Sequence, residues 1–390
     1  MIPGGWREAK IREVAKIDVG RDLVEERFAR TISDTHRFPI YSNTVEQHGH
    51  YGFYDFPEYS AESVTVVGRG IGLGTAFARK TPFGAIGRLL VLSPKDDSFD
   101  VGYLADYLNH GFEIHYESGG IPQLPGKTLG NYSILLPPLP EQRRIAEILS
   151  TWDRAIETVE ALIANARAQK KALMQSLLTG KHRLPGFSGE WKSVALKSMG
   201  KTSSGGTPDS DNDDYWNGDV LWTTPTDITA LTRKYITDTK RKISAKGLAN
   251  CSAKLLPAGT LLICTRATIG DMAIATSPIS TNQGFKNLTP NASFVSEFLF
   301  YLFGFQKHIF IRYACGSTFL ELSKFDFEKR EFLVPERAEQ QAIANVLDDA
   351  DIEIESFEAE AQTLRQEKSA LMQQLLTGKR RVRVDEREFA

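Results

Sequence analysis

Few stretches of this 390-residue sequence place reactive side chains at the spacings that chemistry requires. Gly126-Lys127-Thr128 ends like a phosphate-binding loop. The glycine such a loop needs at 121 is Ile121, and Pro125 removes a backbone N–H where a phosphate needs donors. Gly70-Ile71-Gly72-Leu73-Gly74 is followed by no βαβ pattern, so a dinucleotide site is not expected. Pro208-Asp209 with Asp238-x-Lys240 imitates a nuclease carboxylate set only loosely. The histidines show no metal spacing. Cys251, Cys264 and Cys315 make no Cys-x-x-Cys pair, and their odd number excludes a disulfide scaffold. No Ser/His/Asp or Cys/His arrangement has supporting context. The expectation is a chain that catalyses nothing and holds no metal or cofactor of its own.

What remains are side chains suited to the edges of DNA bases: Arg, Lys, Asn, Gln, Ser and Thr. Candidates in the first part of the chain are Ser42, Asn43, Arg69, Arg79, Lys80 and Gln123. In the second they are Thr223, Thr224, Arg233, Lys234, Arg266, Asn282, Gln283, Ser317 and Thr318. The stretch 233–246 also holds Lys240, Arg241, Lys242 and Lys246, and could track phosphates. Net charge is −2, so any positive surface must be local. Residues 1–140 carry 14 basic and 17 acidic residues, and residues 184–338 carry 18 and 15. Neither is a strongly basic module.

The elements that would position these residues are set by a repeat. Residues 141–183 and 339–381 align without a gap, with 22 of 43 pairs identical. Both copies open with Glu-Gln and close on Ala-Leu-Met-Gln-x-Leu-Leu-Thr-Gly-Lys. In each, apolar residues recur at spacings of 4 and 3, from Ile145 to Leu177 and from Ile343 to Leu375, as in a coiled-coil seam. Lys170 and Lys368 interrupt the seam at the same place. Gly180 and Gly378 suit left-handed C-caps. From 141 to 177 the first helix would be about 55 Å long. The first copy has net charge +3 and the second −4, which favours pairing within one chain. An antiparallel pair would put a globular segment at each end.

Those segments are distantly alike. Each opens near a tryptophan (Trp6, Trp191), and each has an apolar strand followed by arginine and glycine (Val64–Val67 with Arg69-Gly70; Leu261–Cys264 with Arg266 and Gly270). An apolar helix, a Ser/Gly-rich loop and a strand ending in proline follow in both. The portions 21–60 and 205–255 do not align. The expected fold is mixed α/β: two small α/β domains separated by two long antiparallel coiled-coil helices, with an internal pseudo-twofold repeat. The divisions are 1–140, 141–183, 184–338, 339–381 and a tail, 382–390. No signal peptide and no membrane span are expected.

Pro-Pro-Leu-Pro-Glu-Gln-Arg-Arg-Ile-Ala (137–146), Leu-Leu-Thr-Gly-Lys (177–181), Gly205-Gly206-Thr207-Pro208, Trp222-x-Thr224-Pro225-x-Asp227-Ile228 and Thr281-Asn282-Gln283-Gly284-Phe285 together resemble the specificity subunit of a Type I restriction–modification system. The second helix start, Pro335-Glu336-Arg337-Ala338, lacks the prolines of the first. The resemblance implies a non-catalytic subunit of a prokaryotic, cytoplasmic phage-defence complex. Residues 1–140 and 184–338 would be its target recognition domains, each reading one half of a bipartite site on double-stranded DNA. The helices would set the spacing and dock two adenine methyltransferase subunits. S-adenosylmethionine, ATP and Mg would sit on partner subunits, with restriction subunits completing the assembly. The alternative is a coiled-coil scaffold with two protein-binding heads.

Overall fold

A computed structural model describes residues 2–60, 62–111, 122–315 and 320–384. The chain forms two compact units, Met1–Ala161 with Glu358–Ala390, and Leu162–Phe357.

Each unit is built on a sheet whose central strands pair antiparallel and whose side chains alternate between two cores. In the first unit the strand order is Ala15–Val19, Leu90–Pro94, Ser63–Val66, Ala76–Arg79. Val64, Val66, Leu90 and Leu92 point to one face, where the helix Val101–Gly111 and part of the long helices lie. Val91 points to the other face, among Phe83, Ala85 and Leu89. This is the two-residue period of a pleated strand with both faces covered. In the second unit, Phe285–Pro290, Leu261–Cys264 and Met272–Ala275 repeat the plan. Leu261, Ile263 and Ile274 face the helices, while Leu262, Cys264 and Ala273 face the insert. The inserts differ. The first unit adds the four-stranded sheet Phe28–Ala29, His50–Tyr54, Phe38–Tyr41, Gly84–Ala85, and the second the three-stranded sheet Arg241–Ile243, Trp216–Thr223, Ile279–Thr281.

The two long helices span Leu139–Leu177 and Arg337–Leu375, 39 residues each. That is about 58 Å at 1.5 Å per residue. Both end six residues short of the repeat boundary. Beyond them the backbone turns through Gly180 (φ +67°) and Gly378 (φ +68°), the left-handed conformation that glycine adopts without strain. The helices start two residues early, and the second does so without the prolines of the first. They run antiparallel. In the first unit Glu141 meets Arg381, Asp153 meets Lys368 and Glu160 meets Arg365. In the second, Lys170 meets Asp351 and Arg183 meets Glu339. Every seam position is buried or half-buried. The helices are not separate domains, however. Ile145, Leu149 and Leu375 belong to the core of the first unit, and Leu177, Ile343 and Leu347 to that of the second.

The seam lysines are satisfied differently in the two units. Lys170 lies near Asp351, and the Tyr301 hydroxyl reaches both Asp348 Oδ1 and Asp351 Oδ2 at 2.6 Å. Backbone N–H bonds from Asp100 to Gln142 and from Val295 to Gln340 place Asp106 at the position equivalent to Tyr301. Burial pushes the Asp106 carboxyl up to about 6. Lys368 opposes that shift, and Asp153 and Asp100 add to it.

Two tests follow. Glu339 is fully buried, so Arg183→Leu strands its carboxylate and lowers the thermal midpoint, whereas Arg183→Leu/Glu339→Leu regains most of the loss. Scanning fluorimetry showing the double variant no better than the single would place the cost elsewhere. A carboxyl whose folded pKa is raised contributes stability below its unfolded value, and loses it as pH rises through the folded one. The Asp106 contribution therefore fades between about pH 4 and 6. Asp106→Asn should flatten that segment of the stability–pH curve in urea titrations and stabilise the protein above pH 7. An unchanged curve would rule Asp106 out.

Candidate nucleic-acid interface

In the first unit, three chain segments are stitched together at one edge. The Asn43 carboxamide donates from Nδ2 to the Arg69 carbonyl at 2.5 Å and accepts from Gly68 N at 2.7 Å. Arg69 bridges to Gln123, with Gly70 N bonded to the Pro122 carbonyl and Leu124 N to the Gly68 carbonyl. Ser42 Oγ and N both donate to the Gly49 carbonyl. Ser42, Asn43, Arg69 and Gln123 therefore lie together. The side chains of Ser42 and Asn43, however, hold backbone rather than facing a ligand. Arg69 is half-exposed and Gln123 exposed.

The second unit repeats the stitching with other residues. Arg266 bridges to Glu321, Leu322 N bonds the Thr265 carbonyl and Thr265 N the Gly284 carbonyl. Asn282 N bonds the Thr223 carbonyl, and Asn282 Oδ1 accepts from Gly284 N at 2.8 Å. Thr207 Oγ1 donates to Gln283 Oε1 at 2.5 Å. Thr224, Arg266, Asn282 and Gln283 thus share one edge. Ser317 and Thr318 lie outside the described residues.

Glu321 is the charge that sequence reasoning missed. It sits 2.7 Å from Arg266 Nη2 and 3.5 Å from Lys286 Nζ. Burial raises its carboxyl, but the bonds and charges of Arg266 and Lys286 outweigh that and hold it below the usual range. Lys286 is 7% exposed, and burial lowers its ammonium against the pull of Glu321. The exposed guanidinium of Arg266 is thus held by an acid at this edge.

Several candidates are corrected. Arg79 is 7% exposed. Its Nε bonds Thr65 Oγ1 at 2.9 Å, its Nη2 bonds the His48 carbonyl at 2.6 Å, and its guanidinium lies 3.4 Å over Tyr41. Burial lowers it to about 10, so it remains charged at neutral pH. It supports a loop and does not face solvent. Thr223 is fully buried. Thr224 spends its hydroxyl and N–H on Asp227, capping the helix Pro225–Thr229. Lys234 is held by Asp348 (2.6 Å) and Tyr301 (3.1 Å), and Arg233 pairs with Glu355 of the second long helix. Within the run 233–246, Lys234 is thus turned inward, and Arg233 sits against the second long helix. Lys242 and Lys246 pair with Asp238 and Asp214, and Arg241 stacks 3.7 Å over Trp216. Lys80 lines a cleft with Arg143, Arg144 and Arg383 instead. Asp348 and Glu355 lie more than 100 residues from Lys234 and Arg233, so those pairings leave no local signal.

Residues 3–166 and 188–366 match the Type I restriction modification DNA specificity domain, so the chain belongs to that family. Both halves match, as the internal repeat requires. Among relatives, the Type I restriction enzyme MjaIX specificity subunit of Methanocaldococcus jannaschii is 38% identical over 188 residues, 47% of this chain and 42% of that protein. The EcoR124I/EcoR124II specificity subunit of Escherichia coli is 26% identical over 237 residues, 57% of each chain. This chain thus spans less than two thirds of either relative in those matches. The fold resembles the crystal structure of the S subunit of a Type I restriction–modification system from M. genitalium, with a TM-score of 0.65, 16% identity and 96% of each chain covered. Among the described residues, no helix is long and apolar enough to cross a membrane.

Glu321 gives a direct test of the second edge. Arg266→Ala should weaken duplex binding by about 1–3 kcal/mol if the guanidinium meets a base. Glu321→Gln releases the exposed Arg266 guanidinium, so binding should tighten and the slope of log K against log salt should steepen by about one. Retardation assays across a salt series read both. Unchanged affinity in Arg266→Ala would leave this edge without a role.

Proposed function

We propose that this chain is the non-catalytic DNA-reading subunit of a prokaryotic, cytoplasmic Type I restriction–modification complex. Each unit reads one half of a bipartite site on double-stranded DNA, and the helical pair sets the gap between the halves. Two adenine methyltransferase subunits dock on the helices, and restriction subunits complete the assembly. S-adenosylmethionine, ATP and Mg belong to those partners. The observation that carries the reading is the duplicated edge: Arg69 bridged to Gln123 and Arg266 bridged to Glu321 occupy the same place on two copies of one scaffold. The inserts beside them differ, as two different half-sites would require. Base-edge contacts supply specificity and phosphate contacts affinity.

The helix length should act as a ruler. The pairs Asp153–Lys368 and Lys170–Asp351 exchange roles under the repeat. Midway between them lie Ala161–Leu162 on one helix and Ala359–Glu360 on the other. A seven-residue insertion at both points keeps the seam in register and lengthens each helix by about 10 Å. The preferred gap between half-sites should then grow by up to about 3 base pairs, with the bases of each half unchanged. DNA deformation can absorb part of the shift. Methylation mapping of the assembled complex decides it. An unchanged gap in a complex that still assembles would remove the ruler role.

A further inference from the structure

The loop Val45–Gly49 of the first unit holds its tip in a backbone conformation that side chains avoid. Gln47 (φ 47°, ψ 37°) and His48 (φ 54°, ψ 31°) are both left-handed, and Gly49 follows at φ +81°. Such residues persist only where the surroundings over-determine them, and they gather at ligand-contacting sites.

The surroundings here do over-determine them. The buried Arg79 guanidinium holds the His48 carbonyl at 2.6 Å. The His48 ring stacks on Phe77 at 5.3 Å. The Gly49 carbonyl accepts from Ser42 N at 2.7 Å. At the other end of the loop, Val45 Cγ1 occupies the space that a Cβ on Gly72 would need, 2.3 Å away. Gly72 belongs to the turn that follows Arg69. The loop is therefore seated on the same stitched edge that carries Arg69 and Gln123. None of these contacts uses the Gln47 side chain, which is exposed at the tip. The fold commits a buried arginine and an aromatic stack to holding the backbone that carries this one exposed carboxamide.

We propose that Gln47 reads a base of the first half-site, and that Arg79 is the positioning residue that holds it there. A glutamine carboxamide donates and accepts side by side, which matches N6 and N7 of adenine in the major groove. The contact is to an adenine. This rests on the DNA-reading function proposed above.

The test uses the full chain assembled with its methyltransferase subunits, with methylated sites mapped across a genome. In Gln47→Ala, methylation should spread to sites that differ from the original at one position of the first half. Discrimination at that position should fall at least fivefold, the lower end of what one bidentate contact supplies. The second half should stay unchanged. Gln47→Gly should relax the same position while raising the thermal midpoint, because glycine adopts the left-handed backbone without strain. Arg79→Met should relax it too, a change that a merely structural arginine would not produce in a complex that still methylates. If Gln47→Ala and Gln47→Gly both methylate the original sites with unchanged selectivity, the assignment is wrong. If the unsubstituted complex methylates no bipartite site, the underlying DNA-reading function fails instead.

Discussion

Two buried carboxylates govern the architecture. Glu141 and Glu339 stand at the starts of the long helices with 2% and 0% of their surface exposed. A buried carboxylate without a counter-charge costs several kcal/mol, so each must be met. Arg381 meets Glu141 through Nε and Nη2 at 2.7 Å, and Arg183 meets Glu339 through the same two atoms at 2.5 Å. Each arginine lies just beyond the end of the other helix. That requirement fixes direction and register together, because no parallel or slipped pairing brings both arginines to both acids. The next residue of the repeat ties the helix to its own head. Gln142 bonds the Pro137 carbonyl and Asp100 N, and Gln340 bonds the Pro335 carbonyl and Val295 N. The dipeptide Glu-Gln is therefore a joint: one side chain faces the partner helix and the other faces the sheet domain.

The seam lysines add a second constraint of the same kind. An apolar residue at Lys170 or Lys368 would pack as well or better, and buried ion pairs are poor evidence of stability. What the lysine supplies is a partner requirement, Asp351 in one case and Asp153 in the other. The same pairs connect the helices to the heads through chemistry that has diverged, Tyr301 with Lys234 in one unit and Asp106 in the other. Duplication kept the joint and changed what leans on it.

The scaffold was legible in the sequence because its signals are local or periodic. The 4–3 spacing gave both helices, and every seam position is covered. The C-cap glycines have the left-handed φ that their type suggests. The paired positions of Arg69 and Arg266 followed from a strand–arginine–glycine pattern present twice. Individual side chains were not legible where their fate depends on contacts far along the chain. Lys234 and Arg233 read as free cations and are met by a helix more than 100 residues away. Arg79 reads as surface and is buried under Tyr41. Glu321 carries no motif and holds two cations. The left-handed backbone at Gln47 and His48 leaves little trace in the sequence: histidine visits that region more often than most residues, but glutamine does not.

The distribution of charge explains why so much of the fold goes into backbone stitching. Neither head is strongly basic, so any attraction to phosphates must come from local groups. On the reading proposed above, selectivity comes from a few base-edge contacts, and such contacts are worth their full value only if ordering them costs little on binding. Asn43, Ser42, Thr224 and Asn282 could each offer a polar group to DNA, yet each spends it on the backbone of a neighbouring segment. They convert loops into fixed edges. The side chains left at those edges, Arg69 and Gln123 in one unit and Arg266 in the other, are then few and placed in advance. On that reading, a change in the base read comes from replacing one of these residues or the insert beside it. The stitching can stay, so one scaffold can carry two unlike edges within a single chain.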